Sequence, residues 1–362
     1  MRATVDAKAF SEVLSQVGKV IQKSAIPALE GILVQFKDGA CSLTGSDFNT
    51  WLTVALPARG DECSFVFQRP MEAVRACRYF KGELALEVHG DKSDYPTVTL
   101  INGHRSGTFD AFPEKDYPLK PPLEDHVSFT TGAAALLKRI ERVKYAVRTP
   151  QGFYDNPQRT CVQFSGNDVF CLDGCRVACD TDMALTFPKP FLTWGSSLSF
   201  LKLMGDSEVT VRVGNDHIWL STDAVSICAH REGFETFPLR DTVPKSVLEE
   251  FTVSPKEFLR ELDYLDGFQP KKHRYTICLC GGRLTLDKAE SKCSTSVEIK
   301  GESEIAVGFD PRYMKDALNQ FKDAARVRIK LSGGSAPIII EAEGRNDFTM
   351  VLPVHLRGLM AA

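Results

Sequence analysis

Residues Glu304–Leu356 read EIAVGFDPRYMKDALNQFKDAARVRIKLSGGSAPIIIEAEGRNDFTMVLPVHL. Asp310 suits an N-cap and Pro311 the first helical position, where its missing N–H costs nothing. Met314, Ala317, Leu318 and Phe321 then recur at helical spacing and form one apolar face, with Arg312, Lys315 and Lys322 off that face on a basic side. Three β-like runs follow, Arg326–Leu331, Pro337–Ala342 and Phe348–Val354, separated by the turn signals Gly333-Gly334 and Gly344-Arg345-Asn346-Asp347. With a short strand before Asp310, the unit is strand–helix–strand–strand–strand.

Working outward, the same order recurs. A first helix is expected from Ala7 to Lys23, ended by Pro27, with Phe10, Val13, Leu14, Val17 and Ile21 inward and Lys19 and Lys23 on another side. A second runs from Pro70 through Phe80 and displays Arg75 and Arg78. A third, about Gly132 to Val147, buries Leu136, Leu137, Ile140 and Val143 and displays Lys138, Arg139 and Arg142. The fourth, Ser197–Met204, carries Lys202 alone among apolar residues. In the fifth, Ser254-Pro255-Lys256-Glu257 is a capping-box pattern, Phe258, Leu259, Leu262 and Leu265 form the core face, and Lys256 and Arg260 lie four apart. Each helix is followed by three strand-like runs. Proline- and charge-rich connections at Phe112–Asp125 and Glu232–Lys245 pair the six units into three domains, 1–120, 121–245 and 246–362. A period this long is not that of a solenoid or propeller. The expected class is α+β, a small module of helix on antiparallel sheet, duplicated within each domain.

Composition narrows the function. Hydrophobic residues make up 43% and charged residues 25%, ordinary for a globular protein. No apolar run approaches the roughly 18 residues of a membrane span, and Met1–Asp6 carries no signal-like region, so a cytoplasmic protein without membrane partners is expected. The net charge of −3 means that any affinity for nucleic acid must come from local clustering. Eleven cysteines suit a reducing compartment. Cys171, Cys175 and Cys179 recur every four residues and Cys278 and Cys280 lie two apart, but neither is a zinc spacing, and no P-loop, H-E-x-x-H or G-x-S-x-G occurs. The cysteines read as small buried hydrophobes, with no metal, cofactor or catalysis expected.

Four segments carry a family resemblance. Leu172-Asp173-Gly174-Cys175-Arg176-Val177-Ala178 resembles the Thr-Asp-Gly-His-Arg-Leu-Ala signature of the DNA polymerase III beta subunit, the bacterial sliding clamp. Met350-Val351-Leu352-Pro353-Val354-His355-Leu356 resembles that family's Val-Met-Pro-Met-Arg-Leu ending. Gly308-Phe309-Asp310-Pro311-Arg312-Tyr313 resembles its Gly-Phe-Asn-x-x-Tyr, and Ile26-Pro27-Ala28-Leu29-Glu30-Gly31-Ile32-Leu33 its Ile-Pro-Ile-Leu-x-x-Ile-Leu. The four occur in family order along the whole chain.

The resemblance implies three tandem clamp domains per subunit and a head-to-tail homodimer closing into a ring. Helices would line a hole around double-stranded DNA and tether the replicative polymerase catalytic subunit for processive synthesis, with no catalytic activity of the ring's own. The DNA-facing residues would be Lys19, Lys23, Arg75, Arg78, Lys138, Arg139, Arg142, Arg148, Lys256, Arg260, Arg312 and Lys315. Basic side chains near phosphates give attraction without sequence reading, which permits sliding. An apolar groove would receive Gln-Leu-x-Leu-Phe-type motifs from polymerase, clamp loader and other clamp-motif proteins. Carried over position by position, its wall comprises Leu172, Gly174, Cys175, Arg176, Val177, Pro238, Val243, Asp310, Tyr313, Met350, Leu352, Pro353 and Val354. Phe109 matches a subunit-interface position, with Leu265 and Phe268 as candidate partners. The chain departs from the pattern at Leu172, Cys175, Asp310 and His355, and Arg357–Ala362 extends past the usual end beside the groove. The alternative reading is a clamp paralogue that keeps the fold without the ring and acts as a protein-interaction module.

Overall fold

The computed structural model describes residues 1–90, 95–123, 125–150, 155–270, 275–286 and 293–356. Parts of the expected connections at Phe112–Asp125 and Thr149–Gln158, the expected strand ends at Asp287 and Lys292, and the extension Arg357–Ala362 lie outside them. The chain forms two compact units, Met1–Leu137 with Ser196–Gly233, and Lys138–Gly195 with Phe234–Ala362.

The strand–helix–three-strand order holds in all six repeats. The first has β1 (Arg2–Asp6), α1 (Ala7–Val17), β2 (Ile32–Lys37), β3 (Ala40–Ser46) and β4 (Thr50–Gly60). The second has β5 (Cys63–Phe67), α2 (Pro70–Cys77), β6 (Glu83–His89), β7 (Thr97–Asn102) and β8 (Arg105–Phe112). The third has β9 (Val127–Gly132), α3 (Ala133–Val143), β10 (Val162–Gly166), β11 (Asp168–Leu172) and β12 (Arg176–Thr181). The fourth has β13 (Phe187–Thr193), α4 (Gly195–Leu198), β14 (Glu208–Val213), β15 (His217–Ser221) and β16 (Val225–His230). The fifth has β17 (Glu249–Val253), α5 (Pro255–Asp266), β18 (Ile277–Cys280), β19 (Arg283–Leu286) and β20 (Cys293–Ser296), followed by the two-residue β21 (Ile299–Lys300). The sixth has β22 (Val307–Phe309), α6 (Pro311–Asn319), β23 (Val327–Leu331), β24 (Ile338–Ala342) and β25 (Asp347–Val351).

In the first unit one antiparallel sheet runs β1-β6-β7-β8-β5-β2-β3-β4-β16-β15-β14-β9, and β1 also pairs with β4. The first eight strands thus close on themselves, and α1 packs against α2. Alternation places Ile32, Val34 and Phe36 inward on β2 and Gln35 outward. In the second unit β13-β10-β11-β12-β25-β24-β23-β17-β21 form one sheet and β20-β19-β18-β22 another. Helices α5 and α6 pack together over a core that includes Phe251, Phe258, Leu262, Phe309, Met314, Leu318 and Phe321, all at most 1% exposed. Each such side chain stabilises the fold by about 1.5–3 kcal/mol through removal from water. The ladders β4–β16 and β12–β25 join strands far apart in sequence.

Helix ends differ from the sequence reading in instructive ways. Asp6 caps α1 by accepting from the Ala9 N–H at 2.8 Å, but the helix stops at Val17 rather than Lys23. Gly18 takes the C-cap there, and its poor helix propensity outweighs the apolar Ile21 that extended the pattern. Helix α2 ends at Cys77 and α3 at Val143, and the expected fourth helix is one α turn followed by a 3-10 stretch, Ser199–Met204. Ser254 and Asp310 cap α5 and α6 as read, accepting from Glu257 N at 3.3 Å and Arg312 N at 2.9 Å. The reciprocal half of the capping box is absent, because Glu257 instead accepts from Glu298 N.

Candidate nucleic-acid and peptide interfaces

The cations fall into three environments. In the first unit Lys19 and Lys23 are exposed in the segment after α1, and Arg75 and Arg78 are exposed on and just after α2. Lys138 on α3 and Lys256 on α5 are likewise exposed. A second group is exposed but tied to a neighbouring acid. The Arg260 Nε lies 3.0 Å from Glu261, and Arg312 grips the Asp310 carboxylate, at 2.6 Å for its shortest contact. The third group is withdrawn. The Lys315 ammonium sits 2.7 Å from Asp263 and 2.6 Å from Asp266, with its side chain 17% exposed. Arg142 bonds Asp180 at 2.7 Å, and Arg148 is half-buried.

Arg139 corrects the sequence reading outright. It is 5% exposed, donates from Nε to the Asp180 carboxylate at 2.7 Å, and donates from Nη2 to the Asn167 and Asp180 carbonyls. Its position beside Lys138 and Arg142 in sequence suggested a displayed cation. On a helix, however, successive residues stand 100° apart, and this one turns inward onto the sheet.

The groove residues meet in the second unit. Asp173 organises the β11–β12 turn, accepting from Cys175 N at 2.8 Å and Arg176 N at 3.0 Å. Gly174 occupies the left-handed region at φ +93°, which a side chain there would adopt only with strain. Arg176 is held on every side: by Asp173 at 3.0 Å, by Asp316, by the Tyr145 carbonyl at 2.9 Å, and by the Tyr145 and Tyr313 rings 5.3 and 5.1 Å from its guanidinium. After β25 the chain continues alongside, with Leu352 N donating to the Cys175 carbonyl at 2.9 Å and Val354 N to Gly308 at 2.8 Å. A Cβ at Gly308 would lie 2.5 Å from the Val354 carbonyl, so only glycine admits this approach. The neighbouring Cys175 thiol, then burial, pushes the Tyr313 phenol up to about 12.

Leu172, Val177 and Met350 form an apolar floor with Phe170, Cys179 and Ile339, against which Leu239, Phe237 and Val243 of the 232–245 connection pack. Leu352 and Val354 are 40% and 38% exposed beside it, and Gly174 and Pro238 are exposed. Tyr145, Asp316 and Leu239 were missed by sequence reasoning; each lies far in sequence from the residues it touches, and no local pattern marks them. Pro238 also borders a cavity of about 810 Å³ lined by Asp168, Phe170, Met183, Arg240 and Phe348. There the Arg240 Nε donates to Asp168 at 2.7 Å.

Of the interface residues, Leu265 is 0% exposed inside the second unit's core, so it cannot present a side chain to another subunit. Phe268 is 44% exposed and packs edge-on to Tyr264, itself 52% exposed, at 5.3 Å. Phe109 is half-buried, 6.1 Å from the Phe67 ring. Burial pushes the Cys171 and Cys179 thiols up, against reactivity or metal binding. Among the described residues no cluster of His, Cys, Asp or Glu could hold a metal ion, and no helix is long and apolar enough to cross a membrane.

No family model matches the chain. Proteins of similar sequence do. The β sliding clamp of Bacillus subtilis is 24% identical over 98% of this chain and 100% of its own length, and that of Escherichia coli K12 is 22% identical over the same shares. The crystal structure of the DNA polymerase III beta subunit from Pseudomonas aeruginosa superposes with a TM-score of 0.84 at 18% identity, covering 98% of this chain and 100% of that one. The chain is a divergent relative of the β sliding clamps. The sliding clamp from B. subtilis gives a TM-score of 0.83 over 99% of this chain, so the clamp fold extends along its whole length. The likeness includes the repeats whose helices here are shortest.

Proposed function

We propose that this chain is a DNA sliding clamp: three domains per subunit, two subunits head to tail, one ring around duplex DNA. The observation that carries the reading is that both sequence and fold match clamps over 98% of the chain. A clamp does no chemistry; it is a processivity factor, and the proposed partners are a replicative polymerase and a clamp loader. Lys19, Lys23, Arg75, Arg78, Lys138 and Lys256 supply exposed positive charge on a chain whose net charge is −3. Strand β8 pairs with β5 through Ala111 and Phe112, and the Asp110 carbonyl accepts from Gln68 N at 3.3 Å, so among the described residues the Arg105–Phe109 portion has no ladder partner on that side. Such an edge, which includes Phe109, suits strand addition by a second subunit. The aromatic pair Tyr264–Phe268 is a candidate counterpart.

The floor of Leu172, Val177 and Met350, with Leu352 and Val354 beside it, suits an extended peptide with apolar anchors. The protein would be loaded onto nicked circular duplex with a clamp loader and then subjected to gel filtration. Co-elution with the circle, and loss from the same DNA after linearisation, is the expected result. Equal retention on both would mean that the protein grips DNA without encircling it.

A further inference from the structure

The cations of α5 and α6 are not equivalent to those near α1 and α2. On α5 and α6, Lys256, Arg260, Arg312 and Lys315 stand among Glu257, Glu261, Asp263, Asp266 and Asp316. Only Lys256 lacks a carboxylate contact among the described residues. Lys315 is the extreme case, its ammonium bracketed by two α5 carboxylates at 2.6 and 2.7 Å. Those oxygens engage two of the three donors of the ammonium. Taking Lys315 from them would require a DNA phosphate to compete with two carboxylates already in place. Around α1 and α2, by contrast, Lys19, Lys23, Arg75 and Arg78 are exposed, and none of them contacts a carboxylate among the described residues.

Resting on the clamp reading above, we infer that Asp263 and Asp266 act as internal phosphate substitutes. They neutralise the α5–α6 pair, so phosphate contact is made chiefly by Lys19, Lys23, Arg75 and Arg78, and Lys315 is a structural tie between helices rather than a DNA ligand. A self-neutralised arc has a plain use in a sliding protein. Each cation bound to phosphate releases counterions and deepens the attraction that must be broken at every step along the duplex. Asp263 and Asp266 are therefore positioning residues that limit grip.

The test is equilibrium binding of a short fluorescein-labelled duplex by the full chain, measured by anisotropy between about 50 and 200 mM salt. One phosphate contact accounts for about 0.9 of the slope of log affinity against log salt, a loss of about 3.5-fold across that range. Lys19→Ala and Arg75→Ala should each flatten the slope by up to that amount, while Lys315→Ala should leave it unchanged. Asp263→Asn with Asp266→Asn should steepen it, and adding Lys315→Ala to that pair should reverse the gain. The triple variant separates a released lysine from a mere loss of negative charge. Lys315→Ala weakening binding as much as Arg75→Ala would overturn the inference and leave the clamp reading intact. No binding by the unaltered protein at the lowest salt would also overturn the inference, since there would be no phosphate grip to limit, while the clamp reading would still stand or fall on retention by circular DNA.

Discussion

Replacing Asp180 with alanine removes the counter-charge of two arginines at once. The Asp180 side chain is 3% exposed and that of Arg139 7%, while Arg142 keeps 31% of its side chain in solvent. After the change Arg139 retains carbonyl bonds to Asn167 at 2.6 Å and to residue 180 at 2.9 Å, which soften but do not replace a carboxylate. Breaking a buried pair from one side costs about 3–5 kcal/mol, and the surviving carbonyl contacts place this case near about 3. Arg142, mostly hydrated once released, adds no more than about 1 kcal/mol. Urea unfolding followed by circular dichroism should show the midpoint falling by about 1 M, for a slope of about 3 kcal/mol per M. Arg142→Ala should cost about 1 kcal/mol. Asp180→Ala combined with Arg139→Met should recover part of the loss, because no bare charge remains buried. A single variant within about 0.5 kcal/mol of the unaltered protein, or a double variant worse than the single, would refute the reasoning.

Four further outcomes are expected. Phe309→Ala empties a site that is 0% exposed in the second unit's core and should cost about 3–5 kcal/mol in the same urea titration. Ser254→Ala removes the α5 cap and should cost about 1 kcal/mol. The Tyr313 phenol, pushed from 10.0 to about 12, stays protonated in the folded protein while the unfolded one ionises. The folded state then holds the extra proton, so this group's contribution to stability is whole below pH 10 and is lost as the pH rises toward 12. Tyrosinate absorbance should titrate Tyr313 near that upper value, and Cys175→Ala should move it down. For the groove, a labelled Gln-Leu-x-Leu-Phe peptide should bind by fluorescence polarisation, and Leu352→Ala should weaken it more than tenfold; unchanged binding would remove Leu352 from the peptide surface.

The fold was legible because each repeat announces itself locally. Pro-initiated helices after Ser254 and Asp310, period-two strands such as Ile32–Lys37, and glycine turns need no long-range information. Helix α1 was overextended because Ile21 continues an apolar pattern past Gly18, and pattern alone does not weigh a glycine C-cap. The site was less legible for a different reason. Resemblance located the groove segments, and the structure gathers Leu172, Val177 and Met350 with the connection residue Val243. Charge was misjudged where ionic partners are remote: Asp180 lies 41 residues from Arg139, and Asp266 lies 49 from Lys315. Leu265 was offered as an interface residue although its spacing with Phe258 and Leu262 already placed it on a core face. Helical period tells which way a residue points; it does not tell which acid waits there.

Sedimentation equilibrium across a dilution series tests the central claim most directly, since the proposed ring is closed by two subunits. The account predicts a stable species near twice the 40.1 kDa chain mass. A monomer at every concentration would contradict the ring and leave the fold serving as an interaction module.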